Sequence, residues 1–109
     1  MDERSRRIGL NEAFFREVNE RLEDIVESVS DPAALNDFIC ECGAADCTER
    51  IALTLEEYRQ VRAKSTTFAV KPGHEVVDVE RVVFQNDRYA LVEKEEESAE
   101  VATEMDSSP

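Results

Sequence analysis

The chain has 109 residues, enough for one domain and no more. Its 26 acidic and 13 basic side chains leave a net charge of −13, which argues against direct binding to nucleic-acid phosphates or to an anionic membrane. No apolar run reaches the roughly 18 residues of a transmembrane helix, and Ile8-Gly9-Leu10 after Arg4, Arg6 and Arg7 is too short for a signal-peptide core, so a cytoplasmic setting with reduced thiols is expected.

The charge is uneven. Residues 93–109 hold seven acidic groups and one basic group, nearly half of the excess, while residues 37–92 hold ten and seven. The plainer reading of the acidic surface is solubility; an acidic mimic of nucleic acid is the sharper one.

Residues 1–9 are polar and expected to be mobile. Asn11 is a candidate N-cap for a helix running to about Val29. Phe14, Phe15, Val18, Leu22, Ile25, Val26 and Val29 fall at steps of three and four on one stripe, which predicts Arg16, Glu20, Arg21, Glu23, Asp24 and Glu27 on the outer face. Glu12–Arg16 and Glu17–Arg21 are i,i+4 pairs in the favoured order. Phe15, Val18, Leu22, Ile25 and Val29 also alternate as in a coiled-coil seam. The stripe therefore either packs on the domain's own sheet or docks onto a second copy or another protein, with Phe14, Phe15, Val18, Leu22 and Ile25 as the contact residues.

Ser30-Asp31-Pro32 stops that helix. Phe38-Ile39 and Arg50-Ile51-Ala52-Leu53 read as strands, with Gly43-Ala44-Ala45-Asp46 as the hairpin turn between them. Thr54-Leu55-Glu56-Glu57 is a capping box, opening a second helix to about Ala63 with Leu55, Tyr58 and Val61 on one side. Arg62 and Lys64 in its last turn would suit the helix dipole. Thr67-Phe68-Ala69-Val70 reads as a strand, and Pro72-Gly73 turns the chain to present His74. Val76 to Phe84 fits either a strand or a short helix, and Asn86-Asp87 makes a turn into a strand at Tyr89–Val92. From residue 94 the composition predicts a disordered acidic tail.

The chemistry lies in Cys40-x-Cys42-x4-Cys47, which holds every cysteine of the chain, and in His74, its only histidine. Three thiolates and an imidazole complete a tetrahedral zinc set. Cys42-Gly43 has the look of a zinc knuckle, whose glycine lets backbone amides turn toward the sulfurs. Asp46 or Glu49 could replace His74 as the fourth ligand. Three buried core cysteines beside a surface histidine are the alternative, but Glu41, Gly43, Asp46 and Thr48 are poor company for an apolar core. The C-x-C start also resembles that of the CDGSH iron–sulfur proteins, although their Cys-Asp-Gly-Ser-His string is missing, which argues against an iron–sulfur cluster here. A redox switch that ejects zinc is a further reading, against which the acidic neighbours Glu41 and Asp46 count. No phosphate loop, second histidine or H-E-x-x-H pattern accompanies the cluster, so no enzyme activity is expected.

The strings Asn11-Glu12-Ala13-Phe14-Phe15-Arg16-Glu17-Val18-Asn19-Glu20-Arg21, Cys40-x-Cys42-x4-Cys47 and Pro72-Gly73-His74 resemble a group of small actinobacterial proteins over about residues 10–94. The resemblance implies a bacterial cytosolic setting and lends no activity.

Together these readings predict a small α+β domain over residues 10–93: an amphipathic N-terminal helix, a small antiparallel sheet and a short second helix, stapled by one structural zinc ion on Cys40, Cys42, Cys47 and His74. The expected role is that of a non-catalytic regulatory module acting on another protein, with a thiol/zinc redox sensor and an acidic nucleic-acid mimic as alternatives.

Overall fold

A computed structural model describes residues 3–29, 31, 33–44, 46–76 and 80–94. The element order is α1 (Glu3–Val29), β1 (Asn36–Ile39), β2 (Arg50–Leu53), α2 (Leu55–Val61), β3 (Thr67–Val70), β4 (Glu80–Gln85) and β5 (Ala90–Lys94). The strands form two small antiparallel sheets, β1-β2 and β3-β5-β4. The fold is α+β, as expected.

Local chemistry sets most of the elements. Thr54 Oγ1 accepts from the Glu57 amide at 3.1 Å while the Thr54 amide donates to Glu57 Oε1 at 2.8 Å, so the capping box forms with both its arms. Leu55, Tyr58 and Val61 of α2 are buried. The helix ends at Val61 rather than Ala63, and Arg62 reaches across to Glu20 on α1 at 3.0 Å instead of serving the helix dipole. Asn86 shapes the β4–β5 turn, its side chain accepting from the amides of Arg88 and Tyr89 at 2.8 and 2.9 Å. The ambiguous segment resolves as strand β4 from Glu80; Val77–Val79 lie outside the described residues. So do Ser30, Pro32 and Ala45 of the expected linker and turn, the side chain of Val29, and the expected tail from Glu95 onward.

The pleat of β3 divides the core in two. Ala69 joins Phe38, Ile51, Leu53, Tyr58, Val61 and Tyr89, where Phe38 and Tyr58 stack at 4.5 Å. Phe68 and Val70 point the other way, onto Ala90, Val92, Cys40 and Cys42. The cysteine loop thus roofs one face of the three-stranded sheet. β4 is an edge strand, and Val82, Val83 and Phe84 on it are exposed.

Helix α1 departs most from expectation. It starts at Glu3, ahead of Asn11, and includes much of the segment expected to be mobile. Asn11 is no cap; its side chain donates to Gly43 O at 3.0 Å. The helix seats itself through a polar stripe. Glu12, Arg16 and Asn19 are buried, contrary to the outward position expected for Arg16, while Phe14 and Ile25 of the apolar stripe are 62% and 60% exposed.

Each buried polar group on α1 meets a group from a distant segment. Asn19 fits the outer edge of β1: its amide nitrogen donates to Ile39 O at 2.8 Å, and its oxygen accepts from Ile39 N at 2.9 Å. A carboxamide does this because it carries a donor and an acceptor side by side. Lys94 lies between Glu12 and Glu80, 2.7 Å from the latter, with all three buried. Arg16 sits 4.6 Å over the Phe68 ring and donates to Ser65 O. Glu20 and Glu23 also turn inward, the latter 3.1 Å from Arg59 on α2. Leu22 is the residue of the apolar stripe that packs against the core. Lys94 closes β5.

Candidate metal centre

The four residues singled out by spacing meet in space. Cys40, Cys42, Cys47 and His74 each present one ligand atom, and these atoms all lie within 4.8 Å of one another. His74 Nδ1 is 3.6 Å from Cys40 Sγ and 3.7 Å from Cys47 Sγ. A tetrahedron with zinc–sulfur bonds of about 2.3 Å and a zinc–nitrogen bond of about 2.0–2.1 Å has a sulfur–nitrogen edge of about 3.6 Å. The observed separations match that edge, so the donor set suits a metal ion such as zinc.

Three of the four residues are held by different constraints. β1 ends at Ile39, and Cys40 N still donates to Glu49 O at 3.0 Å, extending the hairpin by one bond to the first thiol. Cys47 N donates to Ala44 O at 3.1 Å, closing a tight turn under the third. His74 N donates to Lys71 O at 2.9 Å around Pro72-Gly73, and Gly73 has φ +92°, a conformation only glycine adopts without strain. The Lys71 amide donates to Cys40 Sγ at 3.1 Å. That bond ties the histidine turn directly to the cysteine hairpin and offers Cys40 the amide partner typical of a metal-bound thiolate.

Gly43 serves a different end from the one expected. Its φ is not positive, so the glycine is not there to turn the backbone. It is there for space: a Cβ at this position would lie 2.2 Å from Ile8 Cγ2 and 2.9 Å from Ile8 Cβ on α1. Helix α1 therefore clamps the loop through Ile8 and through the Asn11–Gly43 hydrogen bond.

The thiols titrate as a group. Cys42 is the one most readily ionised, pulled down to about 5 chiefly by a hydrogen bond from the Cys40 thiol and helped by the Ala44 amide and His74. Cys40 is pushed up, by the same hydrogen bond and then by burial. Cys47 is raised by burial. Close packing of the thiols makes one a thiolate at the others' cost, a conflict that a divalent cation among them removes. An open cleft of about 220 Å³ lined by Cys42, Gly43, Ala44, Gly73, His74, Glu75 and Val76 leads to the cluster from solvent.

The carboxylates considered as substitute ligands stand apart. Asp46 is exposed, and Glu49 pairs with Lys71 at 3.0 Å. Glu41, between two of the cysteines, was not among the candidates and proves central. It is fully buried, accepting from Tyr58 Oη at 2.6 Å, Asn19 Nδ2 at 2.9 Å and the Ala69 amide at 3.0 Å. In Cys-Glu-Cys the middle side chain leaves the backbone opposite to its neighbours, so two cysteines facing a metal send Glu41 into the protein. That alternation was available in the sequence.

No protein-family model matches the chain, and neither a curated protein nor a solved structure shows detectable similarity to it. Among the described residues, no helix is long and apolar enough to cross a membrane.

Proposed function

We propose that the protein is a small, non-catalytic zinc-binding module that works through contacts with other proteins in a regulatory role. The observation that carries the metal reading is the convergence of Cys40, Cys42, Cys47 and His74, with sulfur–nitrogen separations of 3.6 and 3.7 Å that match a zinc tetrahedron. Four protein ligands fill the coordination shell, which is the pattern of a structural ion rather than of a catalytic one with an open position. The protein-contact reading is supported by the apolar residues left outside on α1.

Elemental analysis of the purified chain tests the metal. One zinc per chain is expected, with loss of zinc from Cys40→Ser, Cys42→Ser, Cys47→Ser and His74→Ala and retention in Asp46→Ala and Glu49→Ala. Chelation should unfold the domain, since the metal's binding free energy is folding free energy. A metal-free chain that folds with unchanged stability overturns the reading. Zinc release at modest peroxide would favour the sensor instead.

A further inference from the structure

We propose that the outward face of α1 is a homodimer interface, on which a second copy of the chain docks antiparallel through Phe14, Val18 and Ile25. This deepens the protein-contact reading above and rests on it.

The helix commits its polar stripe to its own domain more fully than its apolar one. Buried Glu12, Arg16 and Asn19 fasten it inward, while Phe14 and Ile25 stand 62% and 60% exposed. Phe14, Glu17, Val18, Arg21 and Leu22 line a shallow cleft on this face. The Phe14 ring meets Phe15 edge-on at 5.8 Å and stays outside the core. At 27 residues the helix is about 40 Å long, close to the 42 Å longest dimension of the molecule, so the face offers several turns of contact.

Self-complementarity selects a second copy as the occupant. With the two-fold axis midway between Phe14 and Ile25, level with Asn19 and Glu20, an antiparallel copy lays Phe14 of each chain on Ile25 of the other. The same operation brings Glu17 of each chain beside Arg21 of the other. These two side chains already pair within one helix at 3.3 Å and are largely exposed, so they are free to re-pair across the axis. One apolar pair and one ion pair, each made twice by symmetry, are what an isologous interface requires. The chain's net charge of −13 opposes association, and at physiological ionic strength the Debye length of about 8 Å screens that long-range repulsion while leaving contact pairs intact.

Sedimentation equilibrium of the zinc-loaded full chain at physiological salt tests the proposal. A monomer–dimer equilibrium with a dissociation constant of about 10 µM or tighter is expected. Phe14→Glu and Ile25→Glu should each weaken it at least tenfold, about 1.4 kcal/mol, without loss of zinc or helical signal. Glu17→Arg and Arg21→Glu should each weaken self-association, and an equimolar mixture of the two should form a heterodimer in which both ion pairs are restored. A wild-type chain that stays monomeric overturns the proposal, as does a dimer indifferent to Phe14→Glu or a charge-swapped pair that fails to recombine. Zinc content of the same samples reads the metal independently, and capture of a foreign protein that Phe14→Glu abolishes in a monomeric chain would assign the face to another partner.

Discussion

The Tyr58 hydroxyl donates to the Glu41 carboxylate at 2.6 Å, linking α2 to the residue between two of the clustered cysteines. Burial pushes the Glu41 carboxyl up, and the bonds from Tyr58, Ala69 and Asn19 pull it back. Glu41 is thereby fixed from α1, α2 and β3 at once, and its neighbours Cys40 and Cys42 are held with it. Tyr58→Phe removes one donor from a buried acceptor and should cost about 1–3 kcal/mol in urea melts of the zinc-loaded chain. Since the bond orients the ligand loop, zinc affinity should also fall, by about tenfold or more in competition with a chelator. Unchanged affinity would confine Tyr58 to packing.

Gly43→Ala should be destabilising by about 1–3 kcal/mol, because the added methyl meets Ile8 near its backbone rather than at a flexible tip. Ile8→Ala in the same chain should recover part of that loss. The coupling, measured as a double-mutant cycle by thermal melting, reports how tightly α1 clamps the knuckle.

Lys94→Met should be among the costliest single changes outside the metal site, at about 3–5 kcal/mol, since it leaves the buried carboxylates of Glu12 and Glu80 without their cation. Burial already drives the Glu12 carboxyl well above its ordinary range despite Lys94. Adding Glu12→Leu to Lys94→Met should restore stability in part, and a double variant no better than the single would contradict the shared-charge picture.

Glu57 predicts a pH dependence. The Arg88 guanidinium holds its carboxyl down, from the ordinary 4.5 to about 2. A folded-state value below the unfolded one means that the contribution is full above about pH 4.5 and fades as pH falls toward 2. Glu57→Gln keeps a capping-box side chain and removes the charge that meets Arg88 at 2.8 Å. The pair is partly open to solvent, so the variant should be less stable by about 1–2 kcal/mol at neutral pH. That gap in denaturant midpoint should close between pH 4.5 and 2.

Much of the site was legible beforehand because its signals are local. A capping box is read within four residues, and Cys40-x-Cys42-x4-Cys47 announces a ligand loop wherever the loop sits. His74 was marked as the only histidine, presented by a Pro-Gly turn, but Asp46 and Glu49 stayed open as alternatives until the fold brought His74 to the cysteines. The choice between strand and helix for Val76–Phe84 was not legible, because Val76, Val79, Glu80 and Val83 also fit a helical spacing, and the strand at Glu80–Gln85 is settled by pairing with β5. Glu41 was missed as one carboxylate among 26 acidic side chains, although its place between two cysteines marked it.

By itself, the sequence determined the Cys40-x-Cys42-x4-Cys47 loop, the two helices and the α+β class, each from patterns within one short segment. Tertiary structure decided which face of α1 turns inward. Periodicity shows an apolar stripe and, beside it, Glu12, Arg16, Asn19 and Glu23, but it cannot say which is buried. The answer depends on Ile39, Ser65, Arg59 and Lys94, each far along the chain. A polar group can be buried only when a partner meets it. Those partners exist only once the sheets are folded, and their arrival leaves Phe14 and Ile25 facing outward.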